Sequence, residues 1–201
     1  MFLDSIRKFN KALIVYVLSI ASIFVFLLVF PNYVHTYTAA IFLLIPYLLG
    51  KGLNLRIEQR PFILGLIITI SIIGLYLLLY YVFAKNTFNL NDFSLNIVLI
   101  HLIVIAFPEE AFFRGYLQQE LGNNIKSIII VSALFALAHF LTICIAKGSF
   151  GLHCATALLT FFPSLVMGYL YYKSKSIWEC TIFHFLANMA FIATSGFSVF
   201  Y

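Results

Sequence analysis

Charge is what this chain has least of. Asp, Glu, Lys and Arg together make up 9% of its 201 residues, against 63% hydrophobic residues. Soluble globular proteins carry roughly a quarter charged residues, and a soluble fold of this size could not hide so much apolar side chain. The composition therefore excludes a soluble domain and implies a polytopic membrane protein, long enough for one domain. The 12 basic residues outnumber the 7 acidic ones, giving a net charge of +5. They form no cluster and no aromatic-basic platform, which argues against a nucleic-acid partner. Cysteine is also scarce. Cys144, Cys154 and Cys180 form no CxxC pair and are odd in number, so neither a disulfide framework nor a zinc knuckle is expected. Buried thiols behaving as small hydrophobes are the expectation. Internal repeats and low-complexity tails are absent as well.

What is present is a series of long apolar runs. A span needs about 20 apolar residues, and seven candidates lie near 12–30, 34–50, 61–84, 95–118, 126–146, 154–172 and 176–195. The fold class implied is all-α, a transmembrane helix bundle. Turn and charge signals separate the runs: Pro31-Asn32, Lys51 to Arg60, Lys85 to Asp92, Gly122-Asn123-Asn124, Lys147-Gly148, and Lys173 to Ser176. The first run follows Arg7, Lys8 and Lys11, as in a signal sequence. It is long for a cleaved segment and no A-x-A site follows, so a retained span is expected. The residues before it suit a short interfacial helix.

With the N-terminus in the cytosol and seven alternating spans, the inside segments hold Arg7, Lys8, Lys11, Lys51, Arg56, Arg60, Lys126, Lys173 and Lys175. The outside segments hold Lys85 and Lys147, with Arg114 set aside inside a span. That asymmetry is the positive-inside pattern, and it puts the C-terminus on the opposite side.

Ionisable residues inside spans are functional-site candidates by default. Here they are His101, Glu109, Glu110, Arg114, His139 and His184, joined by the amide Asn188. Counted from the cytosolic ends of their spans, Glu110, His139, His184 and Asn188 lie roughly 13–20 Å deep at 1.5 Å per residue. Three spans thus carry polar residues at one level. Glu110 and Arg114 are spaced i,i+4 and can pair on one face; Glu109 is turned away by about 100°. His184 and Asn188 share the same spacing, as do Phe135 and His139. Singly, each residue reads as well as packing or interhelical glue. His101 has no spaced partner and reads as structural. His35 and His153 fall at span edges, where solvation is expected. Glu120 and Glu179 lie near helix ends, where exposed or interfacial positions are expected.

A carboxylate and an imidazole around a water can hydrolyse an amide, the Glu acting as general base. A second His and an Asn can donate to the developing oxyanion. There is no GxSxG elbow and no Cys spaced for nucleophilic work, and HExxH is absent. Two Glu and two His could hold a metal, but separate helices would have to supply the ligands and Arg114 beside Glu110 would oppose a cation. Pro108, lacking an N–H, is expected to bend the helix just before the carboxylates.

Three segments carry a family likeness. EEAFFR (Glu109–Arg114) fits EExxxR, FALAH (Phe135–His139) fits FxxxH, and HFLAN (His184–Asn188) fits HxxxN. They stand in order on successive apolar segments, and FFPSLVMGYLYYKSKSIWEC before the last adds a Gly-containing span and a Ser-hydrophobic-Trp turn. Over roughly residues 95–195 the chain resembles the CPBP intramembrane proteases, named for CAAX prenyl proteases and bacteriocin-processing enzymes. Glu179 and Cys180 depart from the small or proline residues common after that Trp. The resemblance implies a glutamic-type intramembrane endopeptidase in a bacterial plasma membrane. Glu109 would activate the water with His139 assisting, and His184 and Asn188 would line the oxyanion site. Glu110 and Arg114 would support the geometry, with Phe135 packed beside them. The implied partners are a membrane protein or peptide substrate and the lipid bilayer. No cofactor is implied, although the family has also been described as metalloproteases, which leaves a divalent metal open. Residues 1–94 would be accessory spans governing substrate access. Two other classes fit the same residues: a non-catalytic immunity or partner-binding protein on this fold, and a proton or ion pathway.

Overall fold

A computed structural model describes residues 2–49, 52–84, 88–89, 93–146 and 152–195. The described residues contain helices and no strand. α1 is Phe2–Val29. A single 3-10 turn, Pro31–Tyr33, reverses the chain into α2, Val34–Leu48. α3 is Gln59–Ala84. α4 is the composite helix Leu95–Gln118, and α5 is Ile125–Ala146. α6 runs through Leu152–Ala157, Leu158–Thr160 and Phe161–Ser174. α7 is Ile177–Ser195.

Six of these helices are long and apolar enough to cross a membrane. The exception is α2. Its 15 residues span about 22 Å at 1.5 Å each, short of a hydrocarbon core of about 30 Å. It nevertheless lies within the same layer. Phe26 of α1 stacks on Tyr37 at 4.0 Å, and Phe42 stacks on Phe112 of α4 at 4.4 Å. The breaks between helices follow the turn signals in the sequence. Gly122 and Asn123 both take positive φ, 99° and 43°, the left-handed conformation that Gly and Asn tolerate. Asn124 then caps α5, its Oδ1 accepting from Ser127 N–H while Ser127 Oγ accepts from Asn124 N–H, a reciprocal cap. Lys51, Lys85 and Lys147, which count in the charge asymmetry, lie outside the described residues, as does the side chain of His153.

The core sits where α4, α5, α6 and α7 meet, with α1 and α2 packed on one side. Helix association in lipid depends on close packing and polar contacts more than on burial of apolar surface, and both are visible. Gly168 lets α6 approach α5 and α4: a Cβ there would meet Ile128 Cγ2 at 2.8 Å and Gln118 Oε1 at 3.2 Å. Gln118 Nε2 donates to the Gly168 carbonyl at 2.9 Å. Gly168→Ala is therefore expected to cost about 1–3 kcal/mol, the range for overpacking a fitted core; thermal unfolding in detergent micelles measures it, and an unchanged midpoint would show that the seam can give. At one end of the bundle the segment from Gly52 crosses the start of α7. Asn54 O accepts from Ile177 N–H, and Leu55 O accepts from Trp178 Nε1–H.

Three expectations change. Cys144, late in α5, and Cys154, early in α6, form a disulfide. The two helices are a hairpin, and its closure brings together cysteines that ten residues of sequence separate; an odd count did not exclude one pair. Cys180 is the buried thiol expected of all three. Glu179 is not interfacial but 3% exposed, because α3 packs across the start of α7 and Gly65 leaves room for its side chain. Glu120 is likewise buried, being the last residue before the turn into α5 and enclosed by the bundle.

Candidate active site

Helix α4 carries two of the site's groups and is not a regular α-helix. Ile100–Ala106 and Phe113–Gln118 are π-helical, and between them lies one short α-helical stretch, Phe107–Phe112, holding Glu109 and Glu110. Phe107 N–H bonds the Leu102 carbonyl, five residues back. Pro108 explains the first wide stretch: it has no N–H to give, and its ring clashes with the carbonyl four residues earlier in an α-helix. Widening to i→i+5 bonding relieves both. Such π turns recur at functional sites. In place of the bend expected at Pro108, the structure shows a widened turn.

Glu110 is fully buried and held from two sides. Its Oε2 accepts from Arg114 Nε–H at 3.1 Å, and its Oε1 lies 2.9 Å from His184 Nδ1. Arg114, also fully buried, donates from Nη2 to Ser164 Oγ at 2.7 Å, and its guanidinium lies 5.7 Å from the Phe135 ring centroid. Sequence spacing finds the Glu110–Arg114 pair but neither His184 nor Ser164 as its partners. Ser164 is one of several hydroxyl residues on α6, with Thr156 and Thr160 before it, and nothing in the sequence singles it out.

Glu109 points elsewhere. Its Oε2 is 3.8 Å from His184 Nε2 and 4.0 Å from His139 Nε2, too far for direct hydrogen bonds. Both rings are anchored by their other nitrogen. His139 Nδ1 lies 3.0 Å from the Phe135 carbonyl. A carbonyl and a carboxylate only accept, so both Nδ1 atoms carry protons: His139 donates to Phe135 O, and His184 donates to Glu110 Oε1. Two Nε2 atoms are thereby aimed at one carboxylate oxygen. Phe135 walls the site, its ring 4.3 Å from that of His139 and 5.7 Å from that of His184. It is backed by Phe113 at 4.9 Å.

Glu109, Glu110, Arg114, Phe135, His139 and His184 are therefore brought together. Asn188 stands one turn beyond His184 on the same face of α7. It is half-buried and makes no hydrogen bond to the others. Two further histidines border the cluster. His35, expected at a solvated span edge, is half-buried on α2, because α2 packs along α4; the charge of Glu109 acts on it. His101 is 1% exposed and coupled electrostatically to His35 and His184. As for a metal, no three His, Cys, Asp or Glu side chains are grouped to hold one among the described residues. Glu110 is already engaged by Arg114.

Fold and site together define a multi-pass helical membrane protein with a cluster of polar side chains inside its bundle. Residues 91–190 match the family described as type II CAAX prenyl endopeptidase, Rce1-like. Through this segment, about half its length, the chain belongs to that family of proteases. No curated protein and no solved structure matches the chain.

Proposed function

We propose that the protein is a glutamic-type intramembrane endopeptidase that hydrolyses a peptide bond in a membrane-associated or lipidated protein or peptide. The observation that carries this reading is the convergence of His139 Nε2 and His184 Nε2 on Glu109 Oε2, at 4.0 and 3.8 Å. That spacing suits a water held between carboxylate and imidazole. Glu109 takes the proton of the water as its oxygen attacks the carbonyl carbon, and His139 Nε2 holds the water in line. The oxyanion then accepts from Asn188 Nδ2–H and from His184 Nε2–H. Since His184 Nδ1–H is committed to Glu110, the Nε2 donor requires the imidazolium form, and Glu110 is placed to stabilise it. Collapse of the tetrahedral carbon breaks the C–N bond, and Glu109 passes its proton to the leaving amine.

In this reading α2 crosses with the six longer helices despite its length, so the Lys and Arg asymmetry of seven alternating segments holds and the N-terminus is cytosolic. Residues 1–94 govern access to a core at 95–195. No metal takes part in this reading: Glu110 is engaged by Arg114 and His184, and the buried guanidinium of Arg114 opposes a cation beside it. The test is cleavage of an internally quenched peptide carrying a prenylated cysteine near its C-terminus, by wild-type protein in nanodiscs. Full cleavage is expected after exhaustive chelation. Activity lost on chelation and restored by a divalent cation would overturn the metal-free mechanism. Tight binding of the peptide without hydrolysis would instead favour a partner-binding protein.

A further inference from the structure

The family match begins at residue 91, yet the site has a wall outside it. Phe42 of α2 stacks face to face on Phe112 of α4 at 4.4 Å, with 6° between the rings, which fixes a common level for the two helices. From that level toward the Leu95 end of α4, Glu109 lies about 5 Å away and His101 about 16 Å away at 1.5 Å per residue. α2 enters the bundle from the same end: it packs on Ile100–Ala106 as well as on Phe107–Phe112, and His35, near its start, acts electrostatically on His101. His35, seven residues before Phe42, therefore stands about 10 Å from the common level. Its height falls between Glu109 and His101.

The π stretch matters to this arrangement. Eight residues separate His101 from Glu109, and in an unbroken α-helix they would sit about 80° apart. The i→i+5 turns of Ile100–Ala106 rotate the chain less per residue and bring the two toward one face. That face meets α2 on one side and α7 on the other, since the π stretch packs against both.

We propose that His35 is a positioning residue of the active site: it closes the side of the site toward the Leu95 end of α4 and acts through space on Glu109, with His101 filling the gap between His35 and His184. The short helix α2, too short to be an ordinary span, has a function in this arrangement: it supplies an imidazole to a site whose motifs all lie on α4, α5 and α7. The charged and titratable groups around Glu109 are then His35 from α2, His139 from α5, His184 from α7 and His101 from α4 itself, with the Glu110–Arg114 pair turned to the other face of α4. The assignment rests on the proposed hydrolysis for its catalytic meaning, but the pairing of His35 with Glu109 can be read without turnover.

Two measurements test it. In nanodiscs with 13C-labelled histidine, the His35 ring signal, assigned by its loss in His35→Asn, is titrated in wild type and in Glu109→Gln. A carboxylate nearby favours the imidazolium, so the His35 titration is expected to move to lower pH in Glu109→Gln. An unmoved titration overturns the assignment whether or not any peptide is cleaved. The second measurement is the pH–rate profile on the quenched prenylated peptide. His35→Asp is expected to displace the low-pH limb toward higher pH and His35→Lys toward lower pH, with His35→Asn between them. A merely structural His35 lowers activity in these variants by similar factors and leaves the limb in place; that result also overturns the assignment. If the wild-type protein cleaves no peptide, the proposed hydrolysis fails and the titration alone decides for His35.

Discussion

Glu109→Gln is expected to yield a protein that inserts, folds and melts like the wild type and cleaves nothing measurable. The substitution keeps the shape of the side chain and removes its basicity. Oε2 of Glu109 accepts no hydrogen bond from the protein and forms no short ion pair, since its nearest cationic candidates are the histidine Nε2 atoms at 3.8 and 4.0 Å. Little folding energy therefore depends on it. General-base catalysis contributes typically 10²- to 10⁴-fold, so activity is expected to fall by about that factor or below detection. His139→Ala should follow, with a smaller loss if water can replace the ring. The measurement is initial cleavage rate beside the thermal midpoint of the same preparation. Wild-type rates from Glu109→Gln would remove the general base and with it the mechanism. A large drop in midpoint would place Glu109 among the structural charges.

Much of this site is written in local spacing. Glu110 and Arg114, Phe135 and His139, and His184 and Asn188 are each one helical turn apart, so helix geometry alone puts each pair on one face. Depth could be read because apolar runs end at charged residues, which fix where each span begins. What escaped was everything set by how helices pack. His35 lies 74 residues from Glu109 in sequence, and no periodicity links them. Its position at the start of a short apolar run read as solvated, until the Phe42–Phe112 stack drew α2 along α4. Cys144 and Cys154 escaped for the same reason, since only the closure of the α5–α6 hairpin makes them neighbours. Glu179 escaped because its burial depends on the absence of a side chain at Gly65 on another helix. The π turns had one local signal, Pro108, which announced an irregularity without saying that the helix would widen rather than kink.

The second of the adjacent carboxylates is expected to behave in the opposite way to the first, and Arg114 is where the difference is largest. Arg114→Ala takes from Glu110 its guanidinium partner at a position with no exposure, and removing one partner of a buried pair costs about 3–5 kcal/mol. The same substitution strips a donor from Ser164 Oγ and a cation from beside the Phe135 ring. Arg114→Lys does not repair this, because an ammonium cannot reproduce the fork that reaches Glu110 from Nε and Ser164 from Nη2. The decisive comparison is a double-mutant cycle with Glu110→Gln and Arg114→Met. If the two charges exist for each other, the double variant recovers much of the stability lost by Arg114→Met, since replacing both members of a buried pair with neutral side chains of similar volume is often close to neutral. Activity should not recover with it. Glu110 also accepts from His184 Nδ1, and a neutral amide there is a weaker partner for the imidazolium that the oxyanion step requires. Stability restored without activity would separate the two tasks of Glu110. It neutralises Arg114 so that both can sit in the bundle, and it holds His184 in the orientation and protonation state that face Glu109. An Arg114→Ala protein within about 1 kcal/mol of wild type, a cost more typical of exposed pairs, would mean that water reaches the pair and that burial is not what binds the two charges together.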